Sequence, residues 1–201
     1  METKMVQQGS RVALITGCGK RDGIGAAPAR LLASQGVRVL VSDIIKEGLS
    51  NLHSKDSDSD SDWRGVASLA AAINDAGGIA ATTLGDVSDE ADAGRMVGHA
   101  IDIFGGLDIL VNNAAAPQGA DRNAIVDIPA EAWDQTIRIN TRGCFLMSRA
   151  AVPIMRKERW GRIINLPSQA AVKPGPTRCA YTASKAAIIG FTSGAGARSR
   201  S

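Results

Sequence analysis

The feature that most constrains the fold is a strand–helix–strand pattern near the N-terminus. Residues 11–17 (RVALITG) are apolar and end in glycine, which predicts a buried strand. Residues 23–36 follow with Ile24, Leu31 and Leu32 at helical spacing and Gly36 as a stop, which predicts a helix. Residues 37–43 (VRVLVSD) predict a second buried strand. Such a βαβ unit favours a parallel sheet.

The rest of the chain continues this alternation. Further strands are predicted at residues 78–86, 107–115 and 161–168. Further helices are predicted at residues 90–105, 131–157 and 181–190. Pro153 lies in the second of these helices, and we expect it to kink or end that helix. Alternating strands and helices predict an α/β fold, a doubly wound, Rossmann-like parallel sheet.

Composition excludes several classes of protein. The 201 residues are 44% hydrophobic, which suits one domain with a substantial core. A net charge of +3 is too small to indicate a nucleic-acid partner. The three cysteines show no CxxC spacing, which disfavours a metal site or disulfide framework and favours a reducing compartment. Without a signal-like start or membrane-length apolar run, we expect a cytoplasmic protein that does not bind membranes.

Two segments depart in composition from the rest of a chain that we expect to form one nucleotide-binding domain over residues 1–201. Residues 53–65 (HSKDSDSDSDWRG) are a Ser/Asp run that predicts a disordered loop insertion, with phosphorylation as an alternative. Residues 193–201 (SGAGARSRS) form a low-complexity segment of mainly Gly, Ser and Arg, and this segment has poor helix propensity.

The first strand-to-helix turn is rich in glycine (TGCGKRDGIG, residues 16–25). Glycines there let the backbone approach a pyrophosphate, and the amides of the following helix point at it. The alternative is a merely structural turn. The candidate cofactor-binding residues in this turn are Gly17, Gly19, Gly23, Ile24 and Gly25.

Asp43 ends the second predicted strand. A carboxylate at that position can accept hydrogen bonds from the hydroxyls of the adenosine ribose. It would also repel a 2′-phosphate, which predicts NAD as the cofactor. Lys20 and Arg21 in the glycine-rich turn keep NADP possible.

The segment YTASK (residues 181–185) contains a possible acid/base pair. Lys185 follows Tyr181 by one helical turn, so the two side chains share a face. The ammonium would favour the phenolate form of the tyrosine, which could then exchange a proton with a substrate. The alternative is a tyrosine that only packs against its neighbours.

Taken together, these motifs resemble the short-chain dehydrogenase/reductase family, in the branch with a YxxxK active site. The glycine-rich turn is similar to the family's TGxxxGxG with two extra residues, and NNAAA (112–116) resembles its NNAG. Asn140, in RINTRG, matches the family's active-site asparagine, with a helix-kink residue as the alternative. Ser168 lies 13 residues before Tyr181, which is the family's spacing.

The resemblance implies a role for each matching residue. The catalytic set would be Asn140, Ser168, Tyr181 and Lys185, and further cofactor contacts would come from Asp86, Val87, Asn113, Ala114, Tyr181 and Lys185. A hydride would pass between the nicotinamide and a carbon that bears an oxygen, and Tyr181 would exchange that oxygen's proton. Lys185 would also hold the nicotinamide ribose. Ser168 would hydrogen-bond the substrate oxygen, and Asn140 would help to complete a proton relay through water.

The implied function is NAD(P)-dependent interconversion of a secondary alcohol and a ketone. The implied fold is a five-stranded sheet in the order 3-2-1-4-5, truncated before the family's last two strands, and a homo-oligomer is expected if the fold is intact. One alternative is a truncated, catalytically impaired nucleotide-binding module. Another is a 3-oxoacyl thioester reductase that uses NADPH, against which Asp43 weighs.

Overall fold

Residues 11–48 and 62–195 are described by the computed structural model. In these residues five parallel strands form one sheet, in the order β3-β2-β1-β4-β5, which confirms the predicted topology. The strands are β1 (Val12–Thr16), β2 (Arg38–Asp43), β3 (Ile79–Leu84), β4 (Ile109–Asn112) and β5 (Arg162–Asn165).

The central strands are apolar on both faces because helices cover both sides of the sheet. β1 is buried along its whole length, and β2 is buried except at its ends. In the register of the sheet, Val12 of β1 lies opposite Arg38 of β2, and Ala13 lies opposite Ile109 of β4. The strand order therefore reverses between β1 and β4, and a crevice is expected at the carboxyl ends of these two strands.

Six α-helices lie between or after the strands in the described residues. They are α1 (Ala26–Ser34), α2 (Val66–Asp75), α3 (Glu90–Phe104), α4 (Ala130–Ile137), α5 (Gly143–Lys157) and α6 (Cys179–Ala195). In one core cluster, α1 and α2 pack against Ile15 and Val39 of the sheet. In the other, α3 and α5 pack against Leu14 and Leu110. These clusters lie on opposite faces of the sheet, because side chains alternate along a strand.

Helix α1 forms where its pattern predicted it, but only one of the three large residues in that pattern faces the core. Leu32 is partly buried against the core cluster, whereas Ile24 is 71% exposed and Leu31 is 59% exposed. The fully buried residues of α1 are Ala26, Ala29 and Ala33. Small side chains let the helix approach the strands closely, so two of the three larger residues point outward. Helix α2 was not predicted, although it buries Val66, Leu69, Ala70 and Ile73.

The long helical pattern at residues 131–157 is built from α4, a π-helical segment (Arg138–Arg142) and α5. Pro153 does not end α5, which continues to Lys157. Pro153 is exposed, so the carbonyl that loses its hydrogen-bond donor can be hydrated on that side of the helix.

Helix α6 extends to Ala195 and so includes the first three residues of the unusual tail. Packing outweighs their poor propensity, since Thr192 Oγ1 accepts a hydrogen bond from Asn165 Nδ2 of β5. The remaining tail, 196–201, and residues 53–61 of the expected insertion lie outside the described residues. Among the described helices, none is long and apolar enough to cross a membrane.

Candidate active site

A cavity of about 410 Å³ opens at the carboxyl ends of β1 to β4, where the strand order reverses. Its walls are the turns that follow these strands and the start of α6. The predicted cofactor residues that line it are Gly17, Gly19, Gly23, Ile24, Asp43, Asp86, Val87, Asn113, Ala114 and Tyr181. The structure therefore brings together residues that lie far apart in the sequence.

Two predicted cofactor residues do not line this cavity. Lys185 lies behind Tyr181, and Gly25 lies under the glycine-rich turn. A Cβ added to Gly25 would meet Asn113 Nδ2 at 2.6 Å and the Gly17 carbonyl oxygen at 2.7 Å. Gly25 therefore permits close packing of α1 against the turn.

The turns after β1 and β4 form one hydrogen-bonded unit. Asn113 Nδ2 donates to the carbonyl oxygens of Thr16 at 2.8 Å and Gly17 at 2.9 Å. Thr16 Oγ1 accepts from the backbone amides of Asn113 and Ala114, each at 3.1 Å. Gly17 has a φ of +71°, and an added Cβ would lie 2.7 Å from Ala114 Cα. This contact requires glycine at position 17 on both conformational and steric grounds.

Asp43 is held against the glycine-rich turn. Its Oδ2 accepts from the Gly19 amide at 2.7 Å, and its Oδ1 accepts from the Ile44 amide at 2.8 Å. Burial raises the pKa of Asp43 above its usual value, and the two backbone donors oppose that shift. The carboxylate therefore has a fixed position in the cavity wall.

Trp63 supports the same turn from the other side. Its Nε1 donates to the Gly19 carbonyl oxygen at 2.8 Å, and its ring packs against the core cluster of α1 and α2. Sequence reasoning missed this contact because Trp63 falls in the segment that we expected to be disordered. An aromatic residue is uncommon in disordered segments, and that was the signal that could have found it.

Asp86 and Val87 form the turn after β3. Asp86 Oδ1 accepts from the amide of Ser88 at 2.8 Å and from its hydroxyl at 2.6 Å, and Arg138 Nη1 lies 3.3 Å from Asp86 Oδ2. The carboxylate of Asp86 is thus occupied in holding the turn. Val87 is buried against Gly143 and still contributes to the cavity wall.

Tyr181 and Lys185 lie one turn apart on α6, as their spacing predicted. The Lys185 Nζ atom is 5.8 Å from the centre of the Tyr181 ring, and it donates to the Leu166 carbonyl oxygen at 2.8 Å. Lys185 is buried, and burial lowers the pKa of its ammonium. The structure therefore fixes a buried amine directly behind the half-buried tyrosine.

Asn140 connects the loop after β4 to α6. It lies in the π-helical segment, a geometry that is frequent at functional sites. Its Oδ1 accepts from the Ala116 amide at 2.8 Å, and its Nδ2 donates to Ser184 Oγ at 2.9 Å. Ser184 Oγ in turn donates to the Tyr181 carbonyl oxygen at 2.7 Å. Ser184, which the sequence did not single out, thus links Asn140 to the tyrosine's helix.

Asn140 and Lys185 also share a small void of about 10 Å³. This volume is on the scale of one water molecule. Asn112 and Cys144 lie in its wall as well, and burial raises the pKa of the Cys144 thiol to about 11. The polar wall of this void connects the asparagine to the lysine.

Ser168 lies beside this cluster rather than in the cavity wall. It precedes the short 3-10 turn Gln169–Ala171, and its Oγ accepts from the Ala170 amide at 3.2 Å. Within the described residues, Ser168 lines neither the large cavity nor the small void. The structure thus joins Tyr181, Lys185 and Asn140, and it places Ser168 at their edge.

The sequence profile of one protein family, described as short chain dehydrogenase, matches residues 59–200. This chain belongs to the short-chain dehydrogenase family. It is 37% identical to an uncharacterized oxidoreductase of Thermotoga maritima, over 90% of this chain and 63% of the relative. It is also 37% identical to a D-beta-hydroxybutyrate dehydrogenase of Cupriavidus necator, over 90% of this chain and 62% of the relative.

A solved structure agrees with the family assignment. The crystal structure of an NAD⁺-bound xylitol dehydrogenase matches with a TM-score of 0.78 and 29% identity, over 94% of this chain and 65% of that one. This member of the family therefore has a Rossmann-like fold. It spans somewhat less than two thirds of the length of these relatives.

Proposed function

We propose that this chain binds NAD in the large cavity and interconverts a secondary alcohol and a ketone. The observation that carries the proposal is the lining of one cavity by both Asp43 and Tyr181. Asp43 is positioned for the adenosine ribose, and Tyr181 is positioned for proton transfer to a substrate. One extended ligand could therefore contact both ends.

The residues at the adenosine end fit a dinucleotide. The cavity lies at the switch point of the sheet, where α/β proteins bind such ligands. Glycines 17, 19 and 23 line it without side chains, and α1 begins immediately after the turn, with its positive dipole end toward the cavity. The xylitol dehydrogenase whose structure is similar to this chain is bound to NAD⁺.

Asp43 supports NAD over NADP. Its two hydrogen bonds come from backbone amides, and within residues 11–48 and 62–195 no cation is paired with it. A fixed carboxylate can accept from ribose hydroxyls and would repel a 2′-phosphate. Lys20 also lines the cavity and could offset part of that repulsion.

The nicotinamide supplies a hydride acceptor or donor when it is bound. Tyr181 would take the hydroxyl proton as an alcohol is oxidised to a ketone, and it would return that proton to the ketone oxygen during reduction. The Nζ atom of Lys185 lies 5.8 Å from the centre of the Tyr181 ring, so its charge is next to the proposed acid/base. Asn140 and Lys185 both line the small void, which is large enough for about one water molecule between them.

A second candidate is a nucleotide-binding module with impaired turnover. The observation that favours it is the position of Ser168, whose hydroxyl accepts from Ala170 and lies outside the cavity wall. In this candidate the Ser168 hydroxyl is engaged with Ala170 and does not contact a substrate oxygen beside Tyr181. This candidate shares the cofactor site with the first, so turnover distinguishes the two.

The proposal is tested with thermal melts of wild type and Asp43→Ser in NADH and in NADPH. A ligand at about 100 times its Kd should stabilise the wild type by ~2.7 kcal/mol, and we expect NADH to do so more strongly than NADPH. Asp43→Ser should reverse or abolish that preference. Asp102→Ser, which removes an exposed carboxylate on α3, is the matched control and should keep it.

An absence of any upward shift with either dinucleotide would reject the proposed cofactor site. Equal shifts in the wild type would reject the role of Asp43. A screen of secondary alcohols with NAD then separates the two candidates, since only an active dehydrogenase produces NADH.

A further inference from the structure

Arg122 is a cation in the cavity wall that the roles proposed above do not use. It lies in the loop between β4 and α4, and its side chain is 12% exposed. Its guanidinium carbon is 4.7 Å from the centre of the Tyr181 ring, and both residues line the same cavity. A charged group therefore lies beside the position where the substrate would react.

The guanidinium is held in one orientation by Asp121. Arg122 Nε lies 3.3 Å from Asp121 Oδ2, a close ion pair that is not aligned as a hydrogen bond. Asp121 is also buried, and its Oδ1 accepts from the Gly119 amide at 2.9 Å. The loop thus forms a compact turn that presents the arginine to the cavity.

The ion pair uses only one edge of the guanidinium. Across residues 11–48 and 62–195, the terminal Nη1 and Nη2 groups of Arg122 have no hydrogen-bond or ion-pair partner. These two groups form a fork that matches the two oxygens of a carboxylate. A largely buried cation with free donors gains much from such a partner, because water competes poorly for it.

We propose that Arg122 is a specificity-determining residue that selects alcohols and ketones carrying a carboxylate. This inference rests on the proposed function, because Tyr181 defines where the reacting oxygen lies. Because Arg122 lies close to the Tyr181 ring, a substrate that contacts both residues must carry its carboxylate close to its reacting carbon. The substrate class is therefore short hydroxy acids and the corresponding oxo acids.

A merely structural Arg122, which only packs on the Tyr181 ring, would show no preference for substrate charge. Arg149 offers a matched control, since its guanidinium carbon lies 5.3 Å from the centre of the Phe145 ring. Arg149 is exposed, pairs with Glu90 on α3, and does not line the cavity. Arg122→Gln and Arg149→Gln therefore each remove an arginine from an aromatic ring, but only the first changes the cavity.

The test measures thermal melts in saturating NAD⁺, where an added ketone cannot be reduced. Pyruvate, acetoacetate and levulinate are each compared with the neutral methyl ester of the same acid. We expect at least one acid to stabilise the NAD⁺ complex of wild type and Arg149→Gln more than its ester does. Arg122→Gln should lose that preference, with affinity for the acid falling about ten- to a hundredfold.

Three results would overturn the inference, and they are distinguishable. A shift with NAD⁺ but no preference for any acid over its ester would reject the inference and leave the proposed function standing. An acid preference that persists in Arg122→Gln would reject Arg122 as its source. No shift with NAD⁺ itself would reject the proposed function and the inference together.

Discussion

The two ends of the cavity are built in different ways. At the adenosine end, β1 is wholly buried, and the turn after it is fixed by Thr16, Asn113 and Asp43 through backbone hydrogen bonds. At the catalytic end, β5 is the outer strand of the described sheet, and Ile164 in it is 48% exposed. Helix α6 is held there by contacts between separate elements, including Lys185 to Leu166 and Asn165 to Thr192.

This difference predicts that the proposed binding and catalysis depend on different parts of the structure. The proposed adenosine end is preformed by short turns whose backbone groups bond to the side chains of Thr16, Asn113 and Asp43. The proposed catalytic end requires side chains from the π-helical segment and α6 to meet. We therefore expect cofactor binding to survive changes that abolish turnover, and each prediction below tests that separation.

The largest effect is expected from Tyr181→Phe, which removes the proposed proton donor and acceptor. Turnover should fall by about 10²- to 10⁴-fold, because general acid–base catalysis contributes that much. The thermal shift with NADH should stay near the wild-type value, since the adenosine end is unchanged. Initial rates and melts on the same preparations measure both quantities.

Thr182→Val is the control for Tyr181→Phe. It removes a neighbouring hydroxyl on α6 that has no hydrogen-bond partner among the described residues. Its turnover should match the wild type. If Tyr181→Phe also kept wild-type turnover, the assignment of Tyr181 as the acid/base would be wrong.

An intermediate effect is expected from Gly17→Ala, which changes the turn at the proposed adenosine end of the cavity. The left-handed backbone and the close approach of Ala114 should reduce the free energy of unfolding by about 1–3 kcal/mol. The shift with NADH should fall as well, because the turn must move. Urea denaturation and NADH melts measure these changes.

Gly94→Ala is the matched glycine control for that prediction. Gly94 lies within α3, and an added Cβ would meet nothing within 4 Å. This substitution should raise the free energy of unfolding by about 0.5–1 kcal/mol and leave NADH binding unchanged. If Gly17→Ala and Gly94→Ala destabilised the protein equally, the requirement for glycine at position 17 would be wrong.

The smallest effect is expected in the pH dependence of stability, measured on wild type and Lys185→Met. Burial lowers the pKa of Lys185 from the ordinary value of 10.5, so the unfolded chain binds more protons in the interval between the two values. The wild type should therefore gain stability relative to Lys185→Met as pH rises through this interval toward 10.5.

Lys157→Met removes an exposed lysine at the end of α5 and serves as the reference for loss of a surface charge. Urea midpoints between pH 7 and about 10 give the comparison, with the upper limit near the ordinary lysine pKa. A wild type that lost stability relative to Lys185→Met over that range would contradict the burial of an ammonium at this position.

The sequence predicted the elements that depend on local pattern. The strand order and the YxxxK pair on one helical face followed from alternating apolar segments, a glycine-rich turn and family motifs. Local pattern was less informative about which side of an element is buried. In α1 the pattern comprised Ile24, Leu31 and Leu32; only Leu32 packs against the core, and the fully buried residues are alanines.

By itself, then, the sequence determined the parallel sheet and the family, because periodicity and motif spacing are properties of neighbouring residues. The tertiary structure alone decided that Trp63 supports Gly19, 44 residues away, and that Arg122 lies over Tyr181. It also decided that Ser168 lies outside the cavity wall. These contacts join side chains from separate loops, and only the packing of helices on the sheet determines which loops meet.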